Sequence, residues 1–315
     1  MVLRMLALLA SCVAGAPAVA QNFPTRPIHL IVPAAPGGPT DLPARLVAQI
    51  LPTLGQPAVV ENRPGGGGAI GARSVASAAP DGYALLVGNT SVLAVIPAVS
   101  ASAGYDPAKN FAPVVKLTES YQILVVPPSS PFHTVRDVVA FAKQHPGKLN
   151  IAHTGAGGLP HLTVELFKAR AGVDIVGVPY KSGGESVTAV LGGQVDMTIE
   201  GITILLPLIR DGKLRALAVT SRARTPLAPD LPTMIEAGVP DYEATTFNGV
   251  VAPAGTPAAI IAKLNAAINA GLQAPDMQAR LQKLGAVMRP NTPAEFSAFI
   301  AAEHAKWSAL GIRVD

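Results

Sequence analysis

Ile28-His29-Leu30-Ile31-Val32 followed by Pro33-Ala34-Ala35-Pro36-Gly37-Gly38-Pro39-Thr40-Asp41 is the stretch that decides the fold. The first part is an apolar run of strand length, as expected for a strand buried on both faces. The second is a loop dense in Pro and Gly. Leu42, Leu46, Val47 and Ile50 then recur at helical spacing. Strand, turn-rich loop and helix in that order make the first unit of an α/β sheet.

The same rhythm runs outward along the chain. Ala58 to Val60 reads as a strand, Ala69 to Ala78 as a helix and Tyr83 to Val87 as a strand. Val135 to Phe141 is helical and Leu149 to Ala152 is strand-like. A second Gly-rich loop, Thr154 to Gly158, leads into a helix over Leu159 to Ala171. Val173 to Val178, Val195 to Ile199 and Leu214 to Val219 are further strands, and the stretch from Pro257 onward is mostly helical. Such alternation predicts mostly parallel sheets covered on both faces. Two Gly-rich strand-to-helix loops, one in each half, predict two lobes with facing binding edges, because ligands of open α/β sheets lie at the carboxyl ends of strands.

Composition narrows the class. The chain has 315 residues, enough for two domains. Only 14% are charged, against a usual figure of about 25%, which argues against disorder. The net charge is +4 with Lys and Arg scattered singly, so no basic groove points to nucleic acid. Arg4, the apolar run Met5 to Ala10 and the small-x-small site Ala18-Val19-Ala20 read as a signal peptide over residues 1–20. That pattern predicts export to the periplasm. Cys12, the single cysteine, lies inside the signal, and Leu9-Ala10-Ser11-Cys12 offers the alternative of a lipid anchor.

The two loops read as an anion trap. Gly37 and Gly38 permit a tight turn and close approach of backbone to a ligand. Thr40 or Asp41 can cap the helix, whose N–H groups then point at the cleft. Thr154-Gly155-Ala156-Gly157-Gly158-Leu159-Pro160-His161 can do the same from the other side. Neither loop carries Lys or Arg, so a nucleotide phosphate loop is absent and a carboxylate is the fitting ligand. The plainer reading is that both loops are structural turns. If Asp41 faces the site, its charge points to a ligand with an added donor group.

Other chemistries fit less well. Gly66-x-Gly68-x-x-Gly71 has the form of a dinucleotide fingerprint. However, Gly88, Asn89 and Thr90 stand where its acidic partner belongs, so a nicotinamide enzyme is only an alternative. No His pair has metal-ligand spacing, and no Gly-x-Ser-x-Gly elbow occurs. Asp41 and Asp196 are possible acid–base carboxylates, with a helix cap and a strand-end acid as their plainer roles. The sequence therefore predicts no cofactor, no metal and no catalytic residue.

A set of phrases then carries a resemblance across nearly the whole chain. They are Pro24-Thr25-Arg26-Pro27-Ile28, Pro36-Gly37-Gly38-Pro39-Thr40-Asp41, Val60-Glu61-Asn62-Arg63-Pro64-Gly65 and Ala79-Pro80-Asp81-Gly82-Tyr83. Val178-Pro179-Tyr180-Lys181, Gly193-Gln194-Val195-Asp196, Leu217-Ala218-Val219-Thr220 and Ala252-Pro253-Ala254-Gly255-Thr256-Pro257 follow in order. The chain resembles the substrate-binding receptors of tripartite tricarboxylate transporters, the Bug-type family.

The resemblance implies an α/β, two-lobe periplasmic-binding-protein fold of the type II clamshell kind with two chain crossings. Lobe 1 would hold 24–121 plus 247–315, and lobe 2 would hold 122–246. It implies capture of a small carboxylate (a di- or tricarboxylate, an acidic amino acid or an aromatic acid) for delivery to membrane permease subunits. A monomer with no enzymatic activity is expected; a ligand sensor reporting to a signalling partner is the alternative. The ligand-binding set is Pro36, Gly37, Gly38, Thr40, Asp41 and Asn89 on one lobe. On the other it is Thr154, Gly155, Gly157, His161, Tyr180 and Asp196, with Phe247 as an apolar wall. Two departures bear on ligand identity. Phe247 stands where the family often has Trp, and Ser182 intervenes between Lys181 and Gly183.

Overall fold

The computed structural model describes residues 22–155, 159–283 and 285–313. The signal segment with Cys12 and the loop residue Gly157 lie outside these residues. The apolar run at the start of the chain is strand β1 (Ile28–Val32). Leu30 and Val32 belong to one hydrophobic core and Ile31 to another, so both faces of β1 are covered, and its apolar run needs no polar alternation.

β1 is paired in parallel with β2 (Ala58–Asn62) on one side and β3 (Ala84–Asn89) on the other. The sheet continues through β10 (Thr246–Pro253), β4 (Phe111–Ser120) and β11 (Ala286–Val287) in the order β11-β4-β10-β3-β1-β2. A second sheet holds β5 (Gln122–Val126), β6 (Asn150–Thr154), β7 (Val176–Tyr180), β8 (Met197–Gly201) and β9 (Arg215–Val219) in the order β7-β6-β8-β5-β9. Each sheet lies between two hydrophobic cores.

The sheets are mixed, where the alternation of elements predicts mostly parallel ones. β10 runs antiparallel to β3 and β4, and β5 runs antiparallel to β8 and β9. The cause is the way the chain passes between sheets. β4 ends at Ser120, Tyr121 alone intervenes, and β5 begins at Gln122. A strand that enters a sheet from its carboxyl edge must run away from that edge, against the strands that end there. The same holds for β10, which starts at that edge with Thr246. A strand joined to its predecessor by one residue leaves no loop signal, and β4 carries Pro113, Lys116 and Glu119 within it. Neither β4 nor the direction of β5 is legible from periodicity.

Five helices matter for the site: α1 (Asp41–Ile50), α2 (Leu159–Ala171), α3 (Gly183–Leu191), α4 (Ile202–Arg210) and α5 (Pro293–Ser308). α5 opens on a capping box in which the Thr292 hydroxyl accepts from Glu295 N–H and the Glu295 carboxylate accepts from Thr292 N–H. Near its start Phe296 and Ile300 pack into a core of the first sheet. Near its end Trp307, fully buried, packs into a core of the second sheet. This helix is thus a strut between the two halves. Trp307 Nε1 donates to Glu303, whose other oxygen accepts from Lys306, so the buried acid is paired. Among the described residues no helix is long and apolar enough to cross a membrane.

Candidate functional site

A cleft of about 690 Å³ lies between the carboxyl edges of the two sheets. That volume is in the range of small-ligand sites. β1 and β3 end at it from one side and β8 from the other, while Ser120, Tyr121 and Gln122 cross its floor. Among the described residues, the loop before α1, the turn after β3 and the start of α4 contribute to its walls.

The loop before α1 folds around Asp41. Gly37 has φ +80°, a conformation that a side chain disfavours, and its N–H donates to Asp41 Oδ2 at 2.8 Å. Arg45 Nε (2.7 Å) and Asn62 Nδ2 (2.9 Å) also donate to that carboxylate, whose side chain has no solvent exposure. Burial alone would raise its pKa; the bonds from Arg45, Gly37 and Asn62 outweigh this and hold it below the ordinary value. Asp41 therefore organises the loop and does not line the cleft, which corrects the expectation that its charge faces a ligand. Its acceptor positions are taken by protein.

The expected row of free helix N–H groups is also reduced. Asp41 and Leu42 N–H both donate to the Gly38 carbonyl, and Pro43 has none to give. What faces the cleft is Thr40. Its hydroxyl oxygen accepts from Asn89 Nδ2 at 3.0 Å, and Asn89 Oδ1 in turn accepts from Val92 N–H. Asn89 is fixed in one orientation by this pair, and the Thr40 hydroxyl hydrogen stays available to donate. Gly37, Thr40, Asn89 and Phe247 line the cleft; Pro36 and Gly38 do not. Phe247 stands edge-on to Phe296 and Phe299.

Of the second Gly-rich loop, Ala156, Gly157 and Gly158 lie outside the described residues. Leu159 and Pro160 at the start of α2 reach the cleft, but Thr154, Gly155, His161 and Tyr180 do not line it. His161 stacks on buried His153 with ring centroids 4.7 Å apart, and Gly155 N–H donates to the Tyr180 carbonyl. Burial, with the His161 charge second, lowers the pKa of His153. Asp196 sits at the wrong end of its strand. It precedes β8 and exchanges bonds with Asn150, pinning the amino-terminal starts of β6 and β8 together. The cleft lies at the other end of β8, roughly 15 Å away at the usual rise per residue.

That other end is Glu200-Gly201, leading directly into α4. Glu200, Gly201, Ile202, Thr203 and Ile204 form the second wall. Glu200 is only 7% exposed, and its Oε1 has no hydrogen-bond partner. Burial pushes its pKa up to about 7. Gln122 Oε1 and Asn248 Oδ1 line the same cleft and are likewise buried without partners. Asn248 Nδ2 donates to the Pro39 carbonyl and to Thr118 Oγ1. A carbonyl only accepts, so the amide orientation is set and Oδ1 is left as an acceptor. Sequence reading missed Glu200, Gln122 and Asn248. The rule that ligands lie at carboxyl ends would have selected Glu200 over Asp196, since the two acids flank one strand.

Gly66 to Gly71, the dinucleotide-like run, has a packing role. A side chain on Gly68 would stand 2.6 Å from Val92, and one on Gly71 would stand 3.0 Å from Pro33 Cα and from the Arg63 carbonyl oxygen.

Comparison with known proteins places this geometry. The family described as "Tripartite tricarboxylate transporter family receptor" matches residues 44–314. Protein BugT of Bordetella pertussis is 38% identical over 98% of this chain and 96% of its own length. A Rhodopseudomonas palustris protein solved with adipate is 37% identical, with TM-score 0.74 over 92% of this chain and 97% of its own. A TctC solute-binding protein from Polaromonas, solved with no ligand, is 27% identical, with TM-score 0.84 over 91% of this chain and 98% of its own. This chain belongs to the tripartite tricarboxylate transporter receptor family, the family that its sequence phrases resemble.

Proposed function

We propose that the protein is an extracytoplasmic receptor that captures a small carboxylate in this cleft and delivers it to tripartite tricarboxylate-type permease subunits in the membrane, without transforming it. The observation that carries the reading is the cleft of about 690 Å³ between the carboxyl edges of two sheets, with the Thr40 hydroxyl free to donate into it. The adipate bound by the Rhodopseudomonas palustris relative supports a carboxylate as ligand class. The segment from Arg4 to Ala20 supports export to the periplasm. It acts as a monomer.

In this reading residues 24–121 and 247–315 form lobe 1 and 122–246 form lobe 2, with the end of α5 shared. Ligand binding closes the lobes about Tyr121 and Thr245–Thr246, where the chain crosses. Thr40, Asn89 and Phe247 act from lobe 1, and Gly37 shapes the loop that presents Thr40. The higher TM-score to the ligand-free Polaromonas protein than to the adipate complex supports an open state, despite the lower sequence identity.

A thermal-shift screen of the refolded, ligand-stripped protein against carboxylates tests this. A ligand at a thousand times its dissociation constant adds about 4 kcal/mol, a clear rise in melting temperature. No rise with any carboxylate, from folded and ligand-free protein, refutes the receptor reading. Turnover of the ligand would instead make it an enzyme.

A further inference from the structure

We propose that Glu200 is the specificity-determining acceptor of the cleft, and that the ligand it selects is a carboxylate that also bears an ammonium group. This rests on the receptor reading and names the class of substrate within it.

The argument starts from unmet hydrogen bonding. A buried carboxyl oxygen without a partner is costly, and natural structures keep few of them. The Glu200 carboxyl occupies space that Gly183 leaves open at the start of α3, where a Cβ would stand 2.7 Å from Oε2. A residue larger than Gly at 183 would displace the carboxyl. Among the described residues no cation bonds to it. From α3, Glu185 is turned onto the Lys181 N–H; from β5 comes neutral Gln122 beside apolar Ile123; and the Gly201 N–H is the group that favours the ionised form. Among the described residues Lys283 is the other charged residue that lines the cleft, and it is exposed.

The unmet groups share one sign. Glu200 Oε1, Asn248 Oδ1 and Gln122 Oε1 are all acceptors as oriented. A plain dicarboxylate brings only more acceptors and a second negative charge. An ammonium brings three donors and the opposite charge. The other end of such a ligand, its carboxylate, meets the Thr40 hydroxyl.

Calorimetric titration with matched pairs tests this: succinate against aspartate, glutarate against glutamate, and butanoate against 4-aminobutanoate. At pH 8 the aminated member of the accepted pair should bind wild type at least about tenfold more tightly. In Glu200→Gln that preference should vanish, while the unaminated member binds as well as before or better. Lowering the pH from 8 to 5.5 should erode the preference in wild type as the carboxyl regains its proton, and should leave the variant unchanged. Glu200→Asp, which keeps the charge on a shorter arm, should retain part of the preference. Unaltered fluorescence of Trp307 checks that the variants fold.

A preference that survives Glu200→Gln overturns the proposal. So does a wild type that prefers the unaminated member and binds it more weakly as pH rises, since Glu200 would then be acting as a protonated donor. Both of those outcomes leave the carboxylate receptor standing. Failure of every carboxylate, aminated or not, to bind folded wild type takes down both readings.

Discussion

Replacing Glu200 by Gln should stabilise the ligand-free protein at alkaline pH and do almost nothing at acid pH. Glu200 moves from an ordinary 4.5 to about 7 on folding because it is buried. The folded state thus holds a proton that the unfolded chain has already released between those values. Stability falls as pH rises through that window and stays lower above it. At 1.36 kcal/mol per pH unit, the cost of the ionised group at pH 8 is about 3 kcal/mol. Gln has the same shape and no charge, so it escapes that cost. With an unfolding entropy of about 2.1 cal/mol/K per residue, the gain corresponds to roughly 5 °C in melting temperature for a chain of this length. Urea unfolding followed by Trp307 fluorescence, at pH 5 and pH 8, reads it directly. Trp307 is the one tryptophan and lies in a core of the sheet that carries Glu200. A difference between variant and wild type that does not grow with pH would refute the reasoning, as would a variant less stable at pH 8.

Three further outcomes follow from the geometry. Asp41→Ala removes the acceptor of Gly37, Arg45 and Asn62 and should cost about 2–3 kcal/mol at neutral pH. Because the folded-state pKa of Asp41 is lowered, its contribution is present above the ordinary carboxylate value and is lost as pH falls, so wild type and variant should converge in acid unfolding curves. Gly249→Ala would place a Cβ 2.1 Å from Phe296 Cζ, in a core with no room to yield, and should cost about 2 kcal/mol in thermal denaturation. Gly285→Val would set a side chain 2.2 Å from Thr203 Cγ2, across the mouth of the cleft. It should prop the lobes apart, so that ligand affinity measured by calorimetry falls at least about tenfold while lobe stability changes by about 1 kcal/mol.

The α/β architecture is legible because β1 sets Leu30 and Val32 in one core and Ile31 in another, with His29 as its one polar residue, and because the helices after it repeat apolar residues at their own period. The loop before α1 is legible for a related reason. Gly37 needs a left-handed φ, and Thr40 must follow it at a helix start, so the motif has few other uses. The second wall is less legible because two loops compete for it. Thr154 to Gly158 has the richer glycine signal, and Leu159 and Pro160 just after it reach the cleft, but among the described residues the abrupt Glu200-Gly201-Ile202 turn brings the buried acid there. Its one marker is an acid at the carboxyl end of an apolar strand. Asp41 shows the limit of composition-based reasoning: its charge suggests a ligand contact, and only the positions of Gly37, Arg45 and Asn62 reveal that its acceptors are spent. The strand β4 is hidden by Pro113 and by its one-residue link to β5.

The most direct test of the account is a crystal structure of the protein with the tightest-binding carboxylate from the screen. The account predicts ligand density between the Thr40 hydroxyl and Glu200, with the two sheets drawn together about Tyr121. Density elsewhere would contradict it, for example in the surface hollow lined by Arg26, Glu61 and Arg63, with the cleft open and unfilled.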